Sequence, residues 1–183
     1  MADIFLSYSG KDRARIEAIA SALGEFGISV WYDARLQSGS SFDEVIGREL
    51  ESAALVIACW SPDAAASQWT RAEALFALER RKLAAVFLEA CKLNPPFNLI
   101  HAEDLRDWTG KPNHHGFAQL IERIAAALGR PGLVEMRAAL AGGGAGGAAT
   151  SFFSQPRNEK AIKEQRAAMR AGLKKFEVDL HSG

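Results

Sequence analysis

Ser67, Gln68, Trp69, Thr70, Arg71, Ala72 and Glu73 are consecutive, so an indole and a carboxylate stand four residues apart. On a helix, residues at that spacing are neighbours on one face. Phe76 joins them within about 60° of the helical wheel, which places the carboxylate on the margin of an apolar stripe rather than in open water. A glutamate in that position needs either a raised pKa or a partner, and a perturbed carboxylate beside a flat ring has the makings of a site. The same residues also fit a plainer role, in which Glu73 complements the positive end of a helix and Trp69 covers the end of a sheet. Spacing alone leaves both open.

Other chemistry-bearing groups fall short of a constellation. His101, His114 and His115 have no cysteine or carboxylate at ligand spacing, which excludes the usual metal patterns, and no metal is expected. His114 and His115 read as a solvated loop before a helix. Cys59 lies in an apolar run and reads as inert core, while Cys91 follows a strand end with only Lys92 nearby to activate it. Ser7 and Ser9 lack the G-x-S-x-G elbow of a serine nucleophile. Gly142, Gly144 and Gly147 spell G-x-G-x-x-G, but no strand precedes them and no βαβ unit surrounds them. No Walker loop, EF-hand or zinc spacing occurs.

The elements that must position Trp69 and Glu73 follow from periodicity. Short β-branched or aromatic runs at 3–7, 28–32, 54–60 and 83–88, with a weaker one near 104–106, read as strands. Between them, apolar residues recur every three or four positions over 11–26, 42–51, 66–81 and 116–128. Gly27 closes the first of these helices, and Gly129 with Pro131 stops the last. Strict alternation with short connections implies right-handed crossovers and a parallel sheet covered on both faces. The expected fold is α/β, a flavodoxin-like five-stranded sandwich over 1–130. Ligands in such a sheet collect at the carboxyl ends of the strands, where strand order reverses. The 33–42 loop is long for an α/β connection, which favours a functional role.

Four boxes in register resemble Toll/interleukin receptor (TIR) domains. Asp3, Ile4, Phe5, Leu6, Ser7, Tyr8 and Ser9, followed by Lys11 and Asp12, resemble the family's first box. Val30, Trp31, Tyr32 and Asp33, then Leu36 and Gly39, are similar to its second strand and long BB loop. Ser61 and Pro62, then Ser67, Trp69 and Glu73, resemble the helix that carries the family's NAD-cleaving glutamate, and Asp107 with Trp108 resemble its closing element. The resemblance covers residues 2–129. The loop lacks the proline and basic-aspartate motif of animal adaptors, so the similarity is closer to bacterial NAD-cleaving members.

The resemblance implies hydrolysis of NAD+ at the nicotinamide–ribose bond, with Glu73 catalytic and NAD+ as substrate, so that no cofactor is needed. Trp69, or Phe5 and Tyr8, would supply a flat apolar wall for nicotinamide and ribose. Ser9, Asp33, Arg35, Gly39 and Phe42 match substrate-binding positions, several in the loop that closes over the nucleotide. The products implied are nicotinamide with either ADP-ribose or a cyclic form, and nothing in the sequence chooses between them. The resemblance further implies self-association through the 33–42 loop, filament-like assembly and a sensor chain or nucleotide activator, in bacterial immunity or signalling. Its alternative is a TIR scaffold without chemistry.

Composition sets the frame around this unit. The chain has 183 residues, 22 basic and 22 acidic, and 48% hydrophobic residues. A sizeable core is affordable, and the charge balance carries neither a nucleic-acid footprint nor a polybasic membrane surface. Two cysteines are too few for a disulfide scaffold, and a reduced, cytoplasmic setting is expected. No apolar run reaches the roughly 18 residues needed to cross a bilayer, and no secretion signal is read at the start. Glycine and alanine dominate 131–156, which is expected to be a flexible linker. Residues 157–183 hold seven basic and four acidic side chains, with Ile162, Met169, Leu173 and Phe176 at helical spacing, and read as an amphipathic tail or the start of a further domain.

Overall fold

The computed structural model of the chain describes residues 2–32 and 40–142, the side chains of 40–44 excepted. Five strands alternate with helices: β1 (Ile4–Ser7), α1 (Arg13–Glu25), β2 (Val30–Trp31), α2 (Ser40–Ser52), β3 (Leu55–Trp60), α3 (Pro62–Ala66), α4 (Gln68–Glu79), β4 (Leu83–Phe87), β5 (Glu103–Asp104), α5 (His115–Leu128) and α6 (Gly132–Ala141). All pairings are parallel, in the order β2-β1-β3-β4-β5. This is the flavodoxin-like arrangement expected from the alternation, and its order reverses between β1 and β3.

The central strands are buried along their whole length, as their uninterrupted apolar sequences require. Side chains alternate between the two faces of the sheet. Ile4 and Leu6, Leu55, Ile57 and Cys59, and Ala84 and Val86 enter the larger core with Ile16, Ile19 and Leu23 of α1 and Phe117, Leu120, Ile121 and Ile124 of α5. Phe5 and Val56 face the other way, against Leu50 of α2 and Ala77 of α4. Ala58, Trp60 and Ala85 share that second face with Ala74 of α4 and Phe97. Small residues on α4 let its backbone come close to the sheet, which brings its polar side chains within reach of the strand ends.

Long cations tie the connections down. The Arg15 guanidinium donates to the carbonyls of Leu88, at 2.9 Å, and Leu105, at 2.5 Å, and reaches that of Arg106 at 3.3 Å. Lys82 Nζ donates to the carbonyls of Leu50, Glu51 and Ala53 at 2.7–3.1 Å and so closes the carboxyl end of α2, where unsatisfied carbonyls attract positive charge.

Three expectations change in detail. The helix expected over 66–81 is α4 at 68–79, separated from the short α3 before it because Ser67 is extended and caps α4 with its side chain, accepting from Thr70 N at 3.2 Å. Ser61 caps α3 in the same way, with Pro62 at its first position, so the serine–proline pair starts a helix of its own. The outer strands are only two residues long, since the sheet edges have partners on one side alone. The linker expected from 131 instead begins with α6: Leu133, Val134, Met136 and Leu140 pack on the larger core, and that apolar stripe outweighs the alanine-rich composition. The compact unit therefore runs past the expected boundary at 130. The 143–156 linker and the 157–183 tail lie outside the described residues.

The start of α5 presses against β5 so closely that a Cβ at Gly116 would lie 2.1 Å from the carbonyl oxygen of Asp104. A methyl there must push the helix away from the strand. Gly116→Ala is expected to cost about 3 kcal/mol of stability, read from urea unfolding.

Candidate functional site

Ser7 ends β1, and strand parity points it to the same face as Phe5, towards α4. Along α4, Thr70, Glu73, Ala74 and Ala77 form the buried side. The two elements meet through polar contacts at the carboxyl end of the sheet. Ser7 Oγ donates to Glu73 Oε2 at 2.5 Å, and Thr70 Oγ1 donates to the carbonyl of Tyr8 at 3.3 Å. With the Ser67 cap, these bonds fix the first two turns of α4 over the switch point between β1 and β3.

Glu73 is only 7% exposed. The sequence asks for a raised pKa or a partner, and a partner is present in the Ser7 hydroxyl. Trp69, one turn earlier on α4, is 61% exposed, so it is not spent on covering the sheet. The pair thus divides into an inward carboxylate and an outward indole. Phe76 lies on the flank of the smaller core, with the Arg80 guanidinium carbon 3.5 Å from its ring centre.

Two rings expected to face a ligand are core residues. Phe5, 1% exposed, stacks on Trp31 at 4.8 Å between ring centres. Tyr8, 3% exposed, belongs to the larger core. Strand parity explains Phe5, because a strand buried on both faces has no side open to solvent; Tyr8, just past the end of β1, packs into the larger core. Ser9 is half-buried and leads into a 3-10 turn at Gly10–Asp12, its carbonyl accepting from Asp12 N at 2.8 Å. Asp33, Arg35 and Gly39 lie outside the described residues, as does the side chain of Phe42.

Beside this centre is a second polar pair. Buried Ser61 donates to Asp12 Oδ2 at 2.6 Å while accepting from Ala64 N at 3.1 Å, which joins the start of α1 to the cap of α3. Outside it, Lys11 and Asp63 pair at 2.7 Å in the exposed rim. Reading by spacing did not find the Ser7–Glu73 or Ser61–Asp12 bonds, since each joins segments about fifty or more residues apart. Ser7 did carry one signal, a polar residue closing a wholly apolar strand. Burial, with the Asp12 and Glu89 carboxylates adding to it, pushes the Cys91 thiol up, away from the thiolate form. Among the described residues, no group of three or more histidine, cysteine, aspartate or glutamate side chains is arranged to hold a metal ion.

Comparison with known proteins identifies the fold. A family model for the TIR domain matches residues 4–121. No curated protein matches. Among solved structures, the TIR domain of the Toll-related receptor TRR-2 from the lower metazoan Hydra magnipapillata is 21% identical with a TM-score of 0.58, covering 68% of this chain and 98% of that one. The TIR domains of the activated Roq1 resistosome, which directly recognises the pathogen effector XopQ, are 18% identical with a TM-score of 0.41, covering 92% and 99%.

Further round the same edge, after β5, charge is balanced pair by pair. His114 caps α5 by accepting from Phe117 N at 3.3 Å through Nδ1, leaving Nε2 to face Asp107 at 2.9 Å. That contact lowers the pKa of Asp107. The side chain and backbone of Arg106 hold Asp104 down to about 2. A depressed carboxyl stabilises the fold above its ordinary pKa and loses that contribution as pH falls through its folded value. Both partners are half exposed, so the effect is small. Asp104→Asn is expected to cost about 0.5 kcal/mol at neutral pH. The difference from the unsubstituted protein should shrink below the ordinary carboxyl pKa and vanish only below about pH 2, as measured by denaturant midpoints across that range.

Proposed function

Because the chain belongs to the TIR domain family, we propose that it is an NAD+ glycohydrolase of the bacterial type, cleaving the bond between nicotinamide and ribose. The observation that carries this reading is the placement of Glu73. Its carboxylate is withdrawn from solvent at the strand-order reversal and held by Ser7, one helical turn from an exposed indole. A buried, hydrogen-bonded carboxylate at the ligand-binding edge of a parallel sheet is costly unless it serves a purpose there.

The chemistry suits a lone carboxylate. When the C1′–N bond breaks, its electron pair passes to the nicotinamide ring and cancels the pyridinium charge, while C1′ takes on oxocarbenium character. Glu73 stabilises that developing charge and holds the ribose hydroxyls. Water then adds at C1′ and releases a proton to give ADP-ribose, or an adenine nitrogen attacks to give a cyclic product. The leaving group is neutral, so neither a general acid nor a metal is required to expel it. Trp69 offers its face to the nicotinamide or ribose. The resemblance assigns nucleotide contacts to Ser9, Asp33, Arg35, Gly39 and Phe42, and self-association to the 33–42 loop. Activity in this reading follows assembly, prompted by a sensor chain or nucleotide activator in immune defence.

A second reading, a scaffold acting by TIR–TIR association, draws support from Trp69, since an exposed tryptophan is also a common anchor of protein contacts. Glu73→Gln separates the two. It keeps an acceptor for Ser7 and so preserves the fold, and nicotinamide release is expected to fall by about 100-fold or more. Product chromatography on purified protein with NAD+ measures this, and release unchanged in the variant overturns the assignment. If assembly completes the site, the rate should also climb more steeply than in proportion to protein concentration.

A further inference from the structure

Ser7 is wholly buried and carries no reacting atom, yet it makes a short contact to the carboxylate on which the proposed chemistry depends. We infer that Ser7 is the positioning residue of the site: its hydroxyl holds Glu73 in the one orientation in which the carboxylate faces the ribose. This inference rests on the proposed cleavage of NAD+.

The argument starts from the donor count. A serine hydroxyl has one proton, and two acceptors surround it: Glu73 Oε2 at 2.5 Å and the Thr70 carbonyl at 3.5 Å. The shorter, charged acceptor takes it. Glutamate has three side-chain torsions, and Glu73, in the second turn of α4, needs its carboxylate held if it is to keep one orientation. The Ser7 bond restricts that freedom before any substrate arrives, so part of the cost of orienting the carboxylate is met in folding. The anchor itself is rigid. Ser7 is the last residue of β1, registered against Ala58 of β3, in the middle of the sheet. Thr70 pins the same helix to the next residue of the chain through the Tyr8 carbonyl, which fixes the separation across which the Ser7 bond must act. A positioning group built into a central strand moves less than one on a loop.

The inference predicts a turnover effect rather than a binding effect. Ser7→Ala is expected to lower kcat for NAD+ cleavage roughly tenfold, with KM within about twofold, because a misaligned carboxylate still permits the dinucleotide to bind. Thr and Val at position 7 differ essentially in the hydroxyl, so Ser7→Thr should restore turnover relative to Ser7→Val. Where the added methyl unfolds both, Ser7→Ala against Ser7→Cys, a weak donor of similar size, gives the same comparison. An independent readout is the 13C resonance of the Glu73 side-chain carboxyl in glutamate-labelled protein, assigned by its loss in Glu73→Gln. It should shift in Ser7→Ala while the other glutamates stay in place. If the wild-type protein cleaves NAD+ but Ser7→Ala turns over within twofold of it, or the Glu73 resonance does not move, the inference is overturned. If wild-type protein releases no nicotinamide at any concentration, the cleavage reading fails instead, and the resonance alone decides whether Ser7 holds Glu73.

Discussion

A carboxylate can leave water only if something replaces the hydrogen bonds it gives up, and at Glu73 one such replacement is the Ser7 hydroxyl. Much of the local architecture follows from that requirement. The donor must sit at the end of a strand, point to the right face and stay there. β1 therefore lies in the middle of the sheet, paired with β2 on one side and β3 on the other. The acceptor must come down on it from above, so α4 carries Ala74 and Ala77 where larger residues would hold it off. Ser67 and Thr70 fix the helix end, and the order of strands reverses beneath it.

The two faces of the sheet are built differently. One is filled by the aliphatic and aromatic residues of α1, α5 and α6 and serves as ballast. The other divides into two smaller clusters, one around Phe5 and Val56 and one around Trp60 and Phe97, with the polar contacts of α4 above the strand ends. The larger core and the polar contacts of α4 are thus on opposite faces of the sheet, joined through β1.

Strands and helices were readable because each imposes a period on apolar residues, and the parallel sheet followed from their alternation. The lengths of β2 and β5 were not, since nothing local marks where an edge strand stops pairing. Ser67 looked like one more helical residue because its role as a cap lies in its backbone angles and in Thr70 N. α6 was hidden by composition, with Leu133, Met136 and Leu140 outnumbered by small neighbours. At the site, Glu73 and its helix could be found from spacing, whereas Ser7 and Asp12 acquire partners only through tertiary approach. Phe5 and Tyr8 are aromatic rings near the site that lie buried, Phe5 by strand parity and Tyr8 by packing just past the end of β1.

Arg15 has a consequence beyond holding a connection in place. β5 is a two-residue edge strand and by itself would be the first part of the sheet to fray. One guanidinium bonds the carbonyls just beyond β5 and just beyond β4 while standing on α1. Opening of that edge must break these bonds or lift α1 as well, which ties a short border of the sheet to its largest core.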